Sequence, residues 1–280
     1  MLISASIFII VGCTNGLISV SGTSGLNGLQ YVCSSQGYVR GQFVTNVPSG
    51  SFKSKDVQFS VSPSLPPGLF IDSKTGAISG VASTTTPMTP YTVTATSGSN
   101  MQMTMVNIKT DNGYIVNSYA DNPDLSAVDS LCADSLGNCT LRAAIGQINA
   151  DAGASSIIQL PAGTYTLTSA ALAAGKSTDV FGNCSGSGGA TIIDGGGLYQ
   201  VYKATAGGSL NNLVLQNANW SGGDGGGLYL TNPTAFSLQK VIIQNNAVTG
   251  AGNGAGIYFG GSGPLNIFDS IIRNNSTIGT

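Results

Sequence analysis

The last third of the chain repeats itself, and this repeat constrains the fold more than any other feature. Asp194-Gly-Gly-Gly-Leu-Tyr199 recurs as Asp224-Gly-Gly-Gly-Leu-Tyr229 and again as Asn253-Gly-Ala-Gly-Ile-Tyr258. Each copy is followed by an apolar run ending in a polar residue and an Asn: Leu213-Val-Leu-Gln-Asn217, Val241-Ile-Ile-Gln-Asn245 and Ser270-Ile-Ile-Arg-Asn274. Matching positions recur roughly every 28–30 residues, a spacing found in solenoids and arrays. One such unit has too little apolar surface to fold alone, so it must stack on its neighbours. It carries Gly, β-branched residues and Asn without a helical period, and reads as one coil of a parallel β-helix.

Composition agrees with a β-rich chain. Only 8% of the residues are charged, against about 25% in ordinary globular proteins. Forty glycines and many Ser, Thr and Asn take their place, while 41% of the residues are hydrophobic. The hydrophobic residues fall in short strand-like runs, which speaks against disorder. The net charge is −2 and no basic cluster occurs. Phosphate neutralisation needs such a cluster, so the reading includes no nucleic-acid partner.

The chain begins with an apolar run, Leu2 to Val11. It is shorter than the ~20 residues that span a bilayer and fits the apolar part of an export signal. Ile10-Val11-Gly12-Cys13 resembles a bacterial lipobox, which implies acylation of Cys13 and a membrane attachment through lipid alone. Residues 1–13 are therefore assigned as a signal/lipobox segment, and the polar residues 14–29 as a flexible linker. Of the remaining cysteines, Cys132 and Cys139 flank a turn-like hexamer and are candidates for a local disulfide in an oxidising compartment. Cys33 and Cys184 have no evident partners and read as separate small buried residues. With no His and no Cys-x-x-Cys, a zinc site is not expected.

Residues 30–110 read as an all-β sandwich. Val57-Gln-Phe-Ser-Val61, Tyr91-Thr-Val-Thr-Ala-Thr96 and Met101-Gln-Met-Thr-Met-Val-Asn-Ile108 alternate as half-buried strands do. Between the first two lie Leu65-Pro66-Pro67-Gly68-Leu69 and Thr75-Gly76-Ala77-Ile78-Ser79-Gly80, rich in turn residues. This pair of motifs resembles the Ig-like, cadherin-like modules of bacterial surface proteins. The resemblance implies a spacer or adhesive module.

Residues 111–168 begin with a polar stretch. Cys139-Thr-Leu-Arg-Ala-Ala-Ile-Gly-Gln-Ile-Asn149 then places Leu141, Ala144, Ile145 and Ile148 on one helical face. Two short strands follow around Leu160-Pro161-Ala162-Gly163-Thr164-Tyr165. The block resembles the Cys-Ser-Leu-Arg-Glu-Ala modules that open bacterial parallel β-helices, with Thr140 at the usual Ser and Ala143 at the usual Glu. The resemblance implies a surface or capping position at Ala143. An open solenoid end exposes strand edges and an apolar bore, and an amphipathic helix over that end buries both. Residues 169–280 are the coils, similar to pectate-lyase-like and polymorphic outer-membrane-protein-like repeats. They stop in what should be a turn, so the chain reads as truncated. The expected fold class is thus all-β: an Ig-like β-sandwich followed by a helix-capped right-handed parallel β-helix.

Candidate chemistry is sparse. Asp194, Asp224 and Asn253 are expected to ladder on successive coils, either as oxygen donors for Ca²⁺ or, more simply, as Asx residues before a Gly turn. Asn217, Asn245 and Asn274 are expected to form an internal amide ladder. Lys240 and Asp269, one period apart, read either as part of a lyase- or hydrolase-like face or as a surface ion pair. Tyr199, Tyr229 and Tyr258 are stacking candidates, for sugars or for one another. Trp220, in a Gly-rich loop off the repeat frame, is the favoured ligand contact. No catalytic, cofactor or metal residue is assigned and no cofactor is expected. The functional expectation is an exported, non-enzymatic, adhesin-like surface protein that meets a polysaccharide or a host or neighbouring-cell surface. Two rivals are a carbohydrate-active β-helix enzyme with catalytic coils beyond Thr280, and a mechanical spacer.

Overall fold

The computed structural model describes residues 26–52, 56–153, 155–184, 189–231 and 233–278. Cys13, the signal segment and most of the 14–29 linker lie outside the described residues. Half-buried alternation and a shortage of helix formers produce strands almost throughout, with one α-helix, α1, Leu141–Ala150. No helix of the described residues is long and apolar enough to cross a membrane. The chain divides into two compact units.

The first is the Ig-like sandwich. One sheet orders Ser35–Val39, Asn100–Asp111, Thr86–Ser97 and Gln58–Ser62; a second orders Phe43–Asn46, Ile78–Val81 and Leu69–Ile71. Inward-facing Tyr38, Phe59, Ile78, Tyr91, Val93, Val106 and Ile108 form the core. The two Gly motifs meet in space. Val81 donates its N–H to Gly68 O at 3.0 Å, and a Cβ on Gly68 or Gly80 would strike the backbone of the other's strand. Both also hold φ values, 93° and 132°, that L side chains avoid. The segment read as a linker ends sooner than expected, because strand Leu26–Tyr31 begins within it. The Gln102 side chain accepts from Leu29 N at 3.0 Å and donates to Leu26 O at 3.1 Å, tying that strand down.

Cys184 groups with this unit and is disulfide-bonded to Cys33. The expectation of two separate buried cysteines is corrected. The partners lie 151 residues apart in sequence, and such a distance offers no local signal to pair them.

The second unit is a parallel β-solenoid of about four turns. Successive coils pair in parallel register: Leu210 with Leu238 and Leu238 with Ile267 on one face, Leu215 with Ile243 and Ile243 with Ile272 on the next. The third face stacks Leu172–Ala174, Tyr202–Ala204, Leu228–Leu230 and Ile257–Phe259. Each coil turns a corner through left-handed residues. Asn212, Lys240 and Asp269 occupy one corner with φ of 54°, 55° and 47°; Asn217, Asn245 and Asn274 occupy another with φ of 58°, 56° and 54°. Asn and Asp tolerate this conformation better than other residues with a Cβ. Lys240 stands in it without that advantage.

Helix α1 caps the first coil. Thr140 is its N-cap, accepting the Ala143 N–H at 2.9 Å. Leu141, Ala144, Ile145 and Ile148 join the solenoid core beside Ile158, Leu160 and Leu172. Ala143 is fully buried, so the position implied to be a surface or capping one has no room for a Glu. The polar face of the helix serves the exposed strand edge. Asn149 accepts from Gly175 N and donates to Ala173 O, both at 2.8 Å, in the manner of a neighbouring strand. Arg142 donates to Ala170 O at 2.6 Å and to Ala171 O at 3.3 Å. Its Nε and Nη2 grip Asp121 through two 2.9 Å bonds. Asp121 in turn accepts the Thr168 N–H at 2.8 Å. The loop leading to the helix is closed by the Cys132–Cys139 disulfide. Inside it Asp134 accepts from Leu136 N, Asn138 N and Asn122 Nδ2. The Asn122 amide and these backbone N–H groups hold its carboxyl below the usual carboxylate range.

Arg142→Ala should strand the enclosed Asp121 carboxylate and free two edge carbonyls. The expected loss is about 3 kcal/mol, read as a lower urea midpoint, with Arg142→Lys recovering only part of it because Lys cannot bind in a bidentate way.

Candidate functional site

Parallel stacking at about 4.8 Å turns each outward column of side chains into a ladder along the solenoid. The positions that sequence inspection singled out fall on several of these ladders, sorted by whether they precede, occupy or follow a corner.

Before the second corner stand Asp194, Gln216, Gln244 and Arg273, in register on four coils. Gln216 Nε2 donates to Asp194 Oδ2 at 3.0 Å. Gln244 Nε2 donates to Gln216 Oε1 at 3.0 Å, and Arg273 donates to Gln244 Oε1 at 2.9 and 2.7 Å. Asp194 Oδ2 also accepts from Asn217 Nδ2 at 2.7 Å, and Oδ1 from Gly196 N at 2.8 Å. Its carboxylate is thus committed to the ladder and a Gly turn. Beside this column on the same face runs an aliphatic one, Ile192, Val214, Ile242 and Ile271.

Asp224 is not the next rung after Asp194, which corrects the expected Asp194–Asp224–Asn253 ladder. Asp194 ends a strand opposite Gln216, whereas Asp224 lies in a turn and binds Asn253, with N–H and Nδ2 donating to its Oδ1 at 2.6 and 3.2 Å. The cause is a four-residue slip. Lys203, not Tyr199, stands opposite Tyr229, so the first motif copy is out of phase with the later two. No group of three or more Cys or Asp side chains with metal-binding proximity occurs among the described residues.

The inward ladder is also displaced by one residue. Asn217, Asn245 and Asn274 occupy the left-handed corner itself, and Asn217 and Asn245 are exposed. The internal amides are Asn246 and Asn275. Asn246 is 1% exposed, accepts from Ala218 N at 3.0 Å and donates to Leu215 O at 3.3 Å. Asn275 accepts from Asn246 N at 3.1 Å and from its Nδ2 at 2.9 Å, and donates to Ile243 O at 2.9 Å. The motif glycines make room for them: a Cβ on Gly227 would meet Asn246 Nδ2, and one on Gly256 would meet Asn275 Nδ2. At the corresponding places one coil earlier stand Val201 and Ala218, both buried. A larger residue in one position accompanies a smaller one in the other.

Aromatic residues line the third face. Tyr229 and Tyr258 stack with centroids 5.2 Å apart and planes at 20°. Lys203 Nζ lies 5.3 Å from the Tyr229 centroid, completing a Lys–Tyr–Tyr column. Tyr199 is elsewhere, donating to Thr168 O at 3.0 Å. Trp220 is half-buried in a short strand, opposite Val248 and packed over Gly222. It is therefore on the repeat frame, contrary to the expectation of a loop outside it. Lys240 and Asp269 take equivalent corner positions on successive coils, and Asp269 Oδ2 accepts from Gln239 Nε2 at 3.2 Å. Sequence inspection missed the Asp–Gln–Gln–Arg column and Lys203. Gln216, Gln244 and Arg273 become visible once the corner Asn that follows each of them, rather than the Gly motif, is used to set the phase; Asp194, which precedes a Gly, and Lys203 do not.

Residues 29–111 match the family described as Putative Ig domain. No curated protein matches the chain. Among solved structures, a putative alpha-galactosidase from Bacteroides fragilis is 18% identical with a TM-score of 0.26, over 50% of this chain and 30% of that one. A putative alpha-galactosidase/melibiase from the same organism is 13% identical with a TM-score of 0.27, over 49% and 29%. A chimeric titin Z1Z2 is 18% identical with a TM-score of 0.24, over 32% of this chain and 99% of that one. The chain thus spans under a third of the two enzyme-like structures, and similarity at this level assigns it no activity.

Asn246→Ala should leave the buried Ala218 N–H and Leu215 carbonyl without their side-chain partner, at a cost of about 2–4 kcal/mol. Asn245→Ala, at the exposed corner, should cost only about 1 kcal/mol from its left-handed backbone. Urea denaturation of the two variants measures the difference.

Proposed function

We propose that the protein is an exported surface protein whose solenoid presents a binding face to a polysaccharide, with the sandwich as a spacer. The observation that carries this reading is the set of outward ladders on the coils. One carboxylate, two amides and one guanidinium follow one another along one face, and a Lys–Tyr–Tyr column runs along another. A linear glycan is itself a periodic array of hydroxyls and apolar ring faces. Planar amide and guanidinium groups bind hydroxyl pairs, and an aromatic ring covers a sugar face. Trp220 is the proposed stacking contact beside the ladders. Two disulfides fit an oxidising compartment, and the lipobox-like segment supplies the proposed attachment at Cys13.

Affinity electrophoresis of the full chain through a panel of bacterial and plant polysaccharides tests the binding. Retardation by at least one polymer is expected, weakened at least tenfold in Trp220→Ala while Trp220→Phe retains most of it. Free migration through every polymer, or retardation of Trp220→Ala and Tyr229→Ala as strong as that of the parent chain, would sink the proposal. Attachment is tested separately: native protein from its source cells should start at an acylated Cys13 by intact mass, and Cys13→Ser should abolish the acyl mass.

A further inference from the structure

The sandwich carries a feature that neither its packing nor the proposed glycan face uses. Strand Asn100–Asp111 alternates so that Val106 and Ile108 enter the core while Met101, Met103 and Met105 point outward. These three are 56%, 53% and 50% exposed. Their neighbours on strand Thr86–Ser97 are Thr96, Thr94 and Thr92, directly opposite. The fourth methionine of the described residues, Met88, is 40% exposed on that same strand. Every methionine of the described residues therefore lies on the surface of one hairpin, the reverse of the usual role of Met as a core gap-filler. Strand formation does not call for Met either, since Val, Ile or Thr suits an exposed strand better. The distinctive property that remains is the thioether.

We propose that Met101, Met103 and Met105 form a binding site for a soft monovalent metal ion, Cu(I) or its surrogate Ag(I). Thioethers are soft donors that prefer such ions over Mg²⁺, Ca²⁺ or Zn²⁺. Alternate residues on a strand lie about 6.7 Å apart, and two flexible Met side chains bridge that gap around one ion. The central Met103 reaches either neighbour, so one ion is held by two sulfurs, Met101 with Met103 or Met103 with Met105, and exchanges between the two pairs. The facing Thr92, Thr94 and Thr96 leave the sulfurs accessible and place no charge against a cation. The nearby Lys109 is held by Asp111 at 3.0 Å. Thioether donors do not titrate, so binding continues at acid pH, where thiol and imidazole sites fail.

The test is titration of the full chain with Ag(I), in a Cys13→Ser background so that no free thiol competes. Calorimetry reads the stoichiometry, and the Met ε-methyl NMR signals locate the ion. The expected result is one ion per chain, with the ε-methyl signals of Met101, Met103 and Met105 shifted and that of Met88 unmoved. Met103→Leu should weaken binding at least tenfold, and the Met101→Leu, Met103→Leu, Met105→Leu triple variant should abolish it. Leu keeps the surface apolar, so an unchanged thermal midpoint certifies the fold. Undiminished Ag(I) binding by the triple variant, binding confined to Met88, or no binding to the parent chain would each overturn the proposal.

Discussion

Backbone hydrogen bonding between coils, repeated in parallel register, is the constraint on which the solenoid depends. Because each coil lies about 4.8 Å above the last, every side chain is given a neighbour of fixed identity above and below it. Favourable and unfavourable choices are therefore repeated along the axis. Leu210, Leu238 and Ile267 stack into the bore by this rule. By the same rule Asp194, Gln216, Gln244 and Arg273 satisfy one another outside it. Helix α1 extends the logic to the first coil, where Asn149 and Arg142 supply the hydrogen bonds that another strand would have made.

The corners decide which side chains point where. A residue at φ near +55° reverses the chain's alternation, so three consecutive positions acquire three separate roles. In Gln244-Asn245-Asn246 the first residue points outward into a ladder, the second makes the bend, and the third points inward. The inward Asn then fixes the Gly on the opposite wall, since Gly227 and Gly256 are the places where its amide needs space.

This mechanism explains how much of the molecule was legible in the sequence. The period, the β-helix, the Ig-like module and the helix at residues 141–150 follow from local patterns of apolar residues and turns. The assignment of Asn245 to the interior failed because hydropathy does not reveal a left-handed corner, and one residue of phase exchanges inside for outside. The Asp194 copy misled because its six-residue likeness to the Asp224 copy is real, yet four residues of chain length separate the two phases. Cys33 and Cys184 carry no local pattern that pairs them. The Asp194–Arg273 column was invisible for another reason: apart from Gln216 and Gln244 its members share neither charge nor residue type, only position.

That column also has a direction. From Asp194 to Arg273 it passes from an anion, through two neutral amides that each give upstream and receive from downstream, to a cation. Because an amide carries a donor and an acceptor, each Gln rung can face a carboxylate on one side and a guanidinium on the other. The two amides thus relay hydrogen bonding between an anion and a cation that lie three rungs apart and never touch.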